Sequence, residues 1–229
     1  MIHVGNDIVD LKTQAAKGKS TDTRFMRKVL TPHEKQAVLH ASDPDQYLWA
    51  LWASKESAYK AVSKSYPQVP AAPKRYPVFL TSKPSAILMN GVVHGPKGIA
   101  RVRLFLNQEY VHCIGLYSCS HGLNDICWGL EKILPCQSAV DGLPAESQSA
   151  MVRRMAAKSI ARQLNLDPEK IQIKRIKNDL GLGPPMVYIN GSRSTIDISL
   201  SHHGRFNAYA AWNLINPSCN IEQPGTGNF

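Results

Sequence analysis

The sequence predicts an α+β fold of two consecutive units, each a helical stretch followed by a small antiparallel sheet. A helical apolar stripe ends near Val62 and a second helical stretch covers 149–164. Each precedes β-branched and aromatic runs separated by turn signals, and residues 120–147 between the units lack clear periodicity. With 229 residues, 43% hydrophobic and 19% charged, the chain can bury a core without metal or disulfide staples, which excludes a mini-protein and a disordered chain. No apolar run approaches the roughly 18 residues of a membrane span and the start does not read as a signal peptide, so a soluble, cytoplasmic protein is expected. Five cysteines, an odd number without C-x-x-C spacing, read as reduced thiols. A net charge of +10 predicts anionic partners without choosing among them.

Ile2, Val4, Ile8 and Val9 suggest a short first strand with a break at Gly5-Asn6-Asp7, placing Asp7 at its end. Thr31-Pro32-His33-Glu34 reads as a capping box opening a helix. The next helix begins after Ser42-Asp43-Pro44-Asp45 and runs to about Val62, with Leu48, Leu51, Trp52, Tyr59 and Val62 on one stripe. Lys55 lies inside that stripe, while Glu56 and Lys60 share its edge. Five prolines between 65 and 84 predict a loop with an edge segment. Strands follow at Ala86–Met89, Ile99–Leu106 and Tyr110–Tyr117, punctuated by Asn90-Gly91, Gly95-Pro96-Lys97-Gly98 and Asn107-Gln108-Glu109. A short helix is expected at Trp128–Leu134. The 149–164 helix bears a basic row of Arg154, Lys158 and Arg162. Then come a strand at Ile171–Ile176, a turn at Gly181–Pro185, a strand at Val187–Ile189, and a hairpin pairing Ile196–Ser201 with Asn207–Trp212. The final dozen residues read as a loose tail.

Several clusters carry potential chemistry, each beside a plainer reading. Asp7 and Glu56 are carboxylates of the kind Mg²⁺ prefers, or a turn cap and a surface partner of Lys60. Lys55 is a buried cation, or one whose stem snorkels to water. Ser199, Ser201 and His202 gather hydroxyls and an imidazole that can hydrogen-bond a phosphate, or simply close a polar hairpin end. The basic row grips phosphates or is solvated surface. The chain has no P-loop, no G-x-G-x-x-G after a strand, no H-E-x-x-H and no G-x-S-x-G.

Together these pieces carry a resemblance. Gly5-Asn6-Asp7-Ile8-Val9-Asp10, then Lys28-Val29-Leu30-Thr31-Pro32-His33-Glu34, then Trp52-Ala53-Ser54-Lys55-Glu56-Ser57-Ala58-Tyr59-Lys60-Ala61, and finally Ile198-Ser199-Leu200-Ser201-His202 resemble, in composition and order, the 4′-phosphopantetheinyl transferases. The length is similar to that of the surfactin-synthetase-activating type, but that type carries S-L-S-H in its first half and K-E-S in its second. Here the order is reversed, through circular permutation or a tandem of the half-size, trimeric holo-acyl-carrier-protein synthase type.

The resemblance implies a pseudo-twofold pair of α/β units of the 4′-phosphopantetheinyl transferase fold: a first half at 1–122, a connection at 123–146, a second half at 147–216 and a tail at 217–229. It implies transfer of 4′-phosphopantetheine from coenzyme A to a serine of an apo acyl or peptidyl carrier protein, from fatty-acid, polyketide or nonribosomal-peptide synthesis, with release of adenosine 3′,5′-bisphosphate. By the same resemblance Asp7 and Glu56 hold Mg²⁺ and Lys60 contacts the pyrophosphate. Ser201 and His202 take the 3′-phosphate, while Glu56, Glu34 through a metal-bound water, or Lys55 serves as base. The family's G-K-P turn is Gly183-Pro184-Pro185 here, lacking its lysine, and Arg154, Lys158 or Arg162 is expected to compensate. The site is expected in the cleft between the halves of a monomer. The proline-rich 65–84 segment is the candidate carrier-docking loop. Neither a nucleic-acid nor a membrane partner is expected. The rival readings are a basic nucleic-acid-binding module and an inactive carrier-binding relative, both of which leave the carboxylates and K-E-S without a use.

Overall fold

A computed structural model describes residues 2–81, 87–118, 120–133, 147–178 and 181–214. It is an α+β protein of two five-stranded antiparallel sheets. The first half comprises β1 (His3–Asp10), α1 (Thr23–Val29), α2 (Pro32–Leu39), α3 (Pro44–Ser65), β2 (Val78–Leu80), β3 (Leu88–Gly95), β4 (Gly98–Leu106) and β5 (Tyr110–Tyr117). The second comprises β6 (Cys127–Lys132), α4 (Gln148–Leu164), β7 (Ile171–Asn178), β8 (Gly181–Ile189), β9 (Ser192–His203) and β10 (Phe206–Trp212). The sheet orders are β1-β5-β4-β3-β2 and β6-β10-β9-β8-β7. Each half therefore runs strand, helix, four strands, with its first strand paired to its last, which is the pseudo-twofold relation in topological form.

The sheets meet face to face. Val4, Ile114 and Leu116 pack with Ile126, Ala210 and Trp128, and Ile8 and Tyr110 pack with Phe206, Ala208 and Leu130. The helices lie on the outer faces, α3 over the first sheet and α4 over the second. β1 is the edge of its sheet, and its outward amides are taken by side chains of β9. Val4 donates to Asp197 Oδ1, Asn6 to Ser199 Oγ and Asp10 to His203 Nδ1, at 2.9 Å each. At the far end of β1, Asp10 receives both prongs of the Arg205 guanidinium, each at 2.8 Å. Burial would raise this carboxyl's pKa, but the bonds from Arg205 and from the Lys12 amide outweigh it and hold the group at about 2.

The capping box is present: Thr31 Oγ1 accepts from the Glu34 amide, and the Glu34 carboxylate accepts from the Thr31 amide. Four expectations are corrected. β1 runs unbroken through Gly5-Asn6-Asp7, because Gly5 serves as a packing gap and not a turn: a Cβ there would stand 1.9 Å from the Ser57 carbonyl oxygen of α3. Asn90-Gly91 lies within β3, where a Cβ on Gly91 would stand 2.6 Å from the Phe79 carbonyl oxygen of neighbouring β2. Trp128 to Lys132 is strand, not helix, since Trp128 and Leu130 alternate toward the first sheet while β6 pairs with β10. Gly181–Pro185 opens β8 instead of forming a turn, and the prolines are tolerated because pairing to β9 begins only at Met186. Helix α1, capped by Asp22 accepting from the Phe25 amide, is an element the pattern did not predict. The expected tail, Leu134, Ala86 and most of the connection lie outside the described residues. Cys113 is a free, buried thiol. Among the described residues no helix is long and apolar enough to cross a membrane.

Candidate active site

Close approach of α3 to β1 builds the site. Gly5 and Gly115 face the Ser57 backbone, so the helix settles onto the strand pair with no side chain between them. Lys60, one turn further along α3, then reaches β1: its Nζ donates to Asp7 Oδ1 at 2.7 Å and to the Asn6 carbonyl at 2.9 Å. Another turn on, Lys64 donates to the carbonyls of Val4 and Ile198 and pairs with Asp197 of the other half. Asp7 and Glu56 line one cavity of about 360 Å³ together with His202 and His203, with Phe25, Trp49 and Trp52 forming an aromatic wall. Glu56 has no hydrogen-bonding partner among the described residues. Burial pushes its pKa up and the nearby Asp7 carboxylate adds to this, with Lys60 opposing.

His202 also borders a second, basic cleft of about 440 Å³. Its walls are Tyr59, Lys60, Ser63 and Lys64 of α3, Ser149, Val152 and Arg153 of α4, Arg175 of β7, the Leu182–Pro185 stretch of β8, and Ser199 and Leu200 of β9. Burial, then the Lys60, His203 and Arg153 charges, depress the His202 pKa and favour a neutral imidazole.

The predicted residues divide accordingly. Asp7, Glu56, Lys60 and His202 converge, within one chain and from both halves. Lys55 and Glu34 do not join them. They form a sealed ion pair, 1% and 2% exposed, with Lys55 Nζ 2.7 and 2.9 Å from the two carboxylate oxygens. Lys55 also donates to the Pro73 and Tyr76 carbonyls, and Glu34 accepts from the Val78 amide. The pair ties α2, α3 and the start of β2 together and lines neither cavity. Ser201 is buried toward the sheet interface, on the face of β9 opposite His202, and its hydroxyl has no partner among the described residues. Arg154, Lys158 and Arg162 line a separate cavity on the far flank of α4, with Lys132 and Tyr209. The arginine that α4 gives to the cleft is Arg153, one position earlier and therefore about 100° around the helix. Arg153 and Arg175 were missed because a row spaced by four draws the eye to the exposed face. Asp10, bound to Arg205 at the sheet interface, is engaged away from the two carboxylates.

A two-unit α+β protein whose first unit sets carboxylates and a lysine against a histidine from its second is thereby defined, and comparison with known proteins gives the class. Residues 3–113 match the family model of the 4′-phosphopantetheinyl transferase superfamily. The first half of the chain is thus similar to that superfamily. A holo-[acyl-carrier-protein] synthase from Chlamydia pneumoniae is 26% identical over 113 residues, covering 49% of this chain and 88% of that protein.

Proposed function

We propose that the protein transfers 4′-phosphopantetheine from coenzyme A to a serine hydroxyl of an apo carrier protein. The observation that carries this is the convergence of Asp7, Glu56 and Lys60 of one half with His202 of the other on adjoining cavities of a single chain. The serine oxygen forms a new bond to the phosphorus nearest the pantetheine. The pyrophosphate P–O bond breaks, adenosine 3′,5′-bisphosphate leaves, and the serine proton passes to a base. Glu56 fits that base because it faces the cavity without a hydrogen-bonding partner among the described residues. Lys55 and Glu34 are then positioning residues, holding α3 in place.

The donor set suits Mg²⁺. Glu56 and the Asp7 oxygen not taken by Lys60 are hard ligands, and no group of three or more His, Cys, Asp or Glu stands close enough to hold a metal by itself among the described residues. Such a site leaves positions open for water and phosphate oxygens. Bound there, the ion would neutralise charge on the pyrophosphate. Lys60, anchored on Asp7 and Asn6, offers a further cation to the same phosphates, and His202 faces the nucleotide side.

The carrier approaches over α1, where Arg24, Arg27 and Lys28 are exposed and Phe25 lines the carboxylate cavity. Pro67 of the proline-rich segment borders the basic cleft instead, and its 73–76 stretch is tied to Lys55. An acidic carrier docked this way associates more slowly as salt rises. Since one chain supplies both walls, a monomer is catalytically sufficient.

Incubation with coenzyme A, Mg²⁺ and a panel of apo carriers, read by mass spectrometry, tests the proposal. The pantetheine mass appears on a carrier with the wild type and falls by about a thousandfold or more with Glu56→Ala. Wild-type turnover by that variant removes the carboxylate assignment, and an unmodified panel removes the function.

A further inference from the structure

The face of the first sheet that meets the second half is wider than the part the second half covers. Val4 of β1, Ile114 of β5 and Phe105 of β4 lie on the covered part. Strand register carries the same face on over Ile99 of β4, over Leu88, Asn90, Val92 and His94 of β3, and over Phe79 of β2. The opposite face, with Val78, Met89, Val93 and Val102, is the one that packs under α3. Phe79, Leu88 and Ile99 are therefore left 49%, 47% and 52% exposed, with the Phe79 ring edge-on to His94 at 5.0 Å. A lone exposed apolar side chain is ordinary, whereas a strip of them along adjoining strands marks a contact surface.

The fold does not require this exposure. The pseudo-twofold makes β7 and β8 the counterparts of β3 and β2 at the far side of the other sheet, and there the matching positions are Gln172, Lys174, Met186 and Tyr188, with Lys174 over the Tyr188 ring. The outward positions of β2 and β3 hold no Lys, Arg, Asp or Glu, so an acidic carrier finds no cation on them. The arginines of this face stand nearer the covered part and are engaged there, Arg103 with Asn90 and Asn124 and Arg101 with the Ser118 and His121 carbonyls. We propose that the strip is a homodimer interface, on which a second copy of the chain packs the same face about a twofold axis. The contact continues, between chains, the sheet-on-sheet packing by which the two halves already meet, and it brings like apolar positions together without like charges. It is made by faces and not by edges, since the edge strand β2 is only three residues long. Three strands about 4.8 Å apart and about eight residues long present about 400 Å² per copy. The total of about 800 Å² lies below the roughly 1,200 Å² of stable complexes, so the dimer is a weak one, in the micromolar range. With +10 on each copy and an uncharged contact, added salt tightens it, the reverse of its effect on an acidic carrier.

Sedimentation velocity of the full chain between about 1 µM and about 1 mM reads the association. The wild type passes from monomer to dimer within this range, at lower concentration in about 0.5 M than in about 0.05 M sodium chloride. Phe79→Glu and Ile99→Glu each weaken the dimer about tenfold or more, whereas Leu39→Glu, which replaces an equally exposed leucine on α2, leaves it unchanged. A wild type that stays monomeric throughout, or glutamate variants at 79 and 99 that dimerise like the wild type, overturns the interface. Hydroxyl-radical footprinting of the wild type places the contact without any substitution and decides alone should a variant lose its fold by circular dichroism. Oxidation of Phe79 and Leu88 falls as concentration rises. Protection already complete in the dilute monomer means that another part of the chain covers the strip, and this too overturns the interface. None of these residues lines either cavity, so the variants keep wild-type transfer and loss of the dimer is read apart from loss of activity.

Discussion

The two halves share a topology and differ at the seam between first strand and helix. In the first, glycines at 5 and 115 let α3 lie directly on β1 and β5. The helix-facing positions of β1 are then Gly5, Asp7 and Val9, and Asp7 comes within a hydrogen bond of Lys60. In the second, the helix-facing positions of β6 are Cys127, Gly129 and Glu131. There Gly129 makes room for a ring, since a Cβ on it would stand 2.5 Å from Tyr209 Cε1. Tyr209 bonds Ser159 of α4, and α4 lies on β7, β9 and β10, leaving a cavity of about 850 Å³ beside β6. A glycine beneath a helix draws it in, while a glycine beneath a tyrosine holds it off. Only the first arrangement sets a strand carboxylate and a helix carboxylate on one cavity, so the second half is left to supply His202 and the arginines.

Substitutions at these seams break or sharpen the contrast. The largest effect is expected for Lys55→Met, which leaves Glu34 charged and buried beneath α3. It should cost about 3–5 kcal/mol in urea unfolding and lower transfer along with stability, and a loss below about 1 kcal/mol would show that the pair does not hold α3. Next is Asp10→Asn, which cuts the joint between the halves by about 2 kcal/mol at pH 6. Because the Asp10 pKa is depressed when folded, its contribution is complete above the unfolded value of 3.8 and is lost as pH falls through about 2. The variant's stability should accordingly lack that part of the acid dependence, and identical acid profiles for the two proteins would contradict the assignment. The smallest is Tyr209→Phe, about 1 kcal/mol, since it deletes one hydrogen bond and keeps the ring that props α4 away from β6. Full transfer activity in this variant, beside the loss in Lys55→Met, would confine the sensitive seam to the first half.

Much of this was legible where local chemistry decides. The Thr31–Glu34 box, the α3 stripe and the hairpin around Gly204 depend on neighbours a few residues apart, and the strands and helices there match the reading. Asp7, Glu56, Lys60 and His202 were legible through motif resemblance. Turn residues misled wherever a tertiary contact claimed them, as Gly5 under Ser57 and Gly91 beside Phe79 show. β6 was missed because Gly129 and Glu131 face away from the first sheet and dilute a six-residue alternation. Ser201 and His202, adjacent in sequence, point to opposite faces of β9, a consequence of strand geometry that a motif string conceals. Arg153 and Arg175 meet only through the packing of α4 on β7, which no spacing in the chain encodes.

The capping of β1 by Asp197, Ser199 and His203 bears on how the protein is made. During synthesis the first sheet emerges whole once β5 has left the ribosome, yet its open edge stays bare until some ninety further residues, those bearing the three capping side chains, have been translated. Through that interval the nascent polypeptide exposes an eight-residue strand to pairing with its neighbours on a polysome. Its charged and polar members, His3, Asn6, Asp7 and Asp10, serve solubility during that interval.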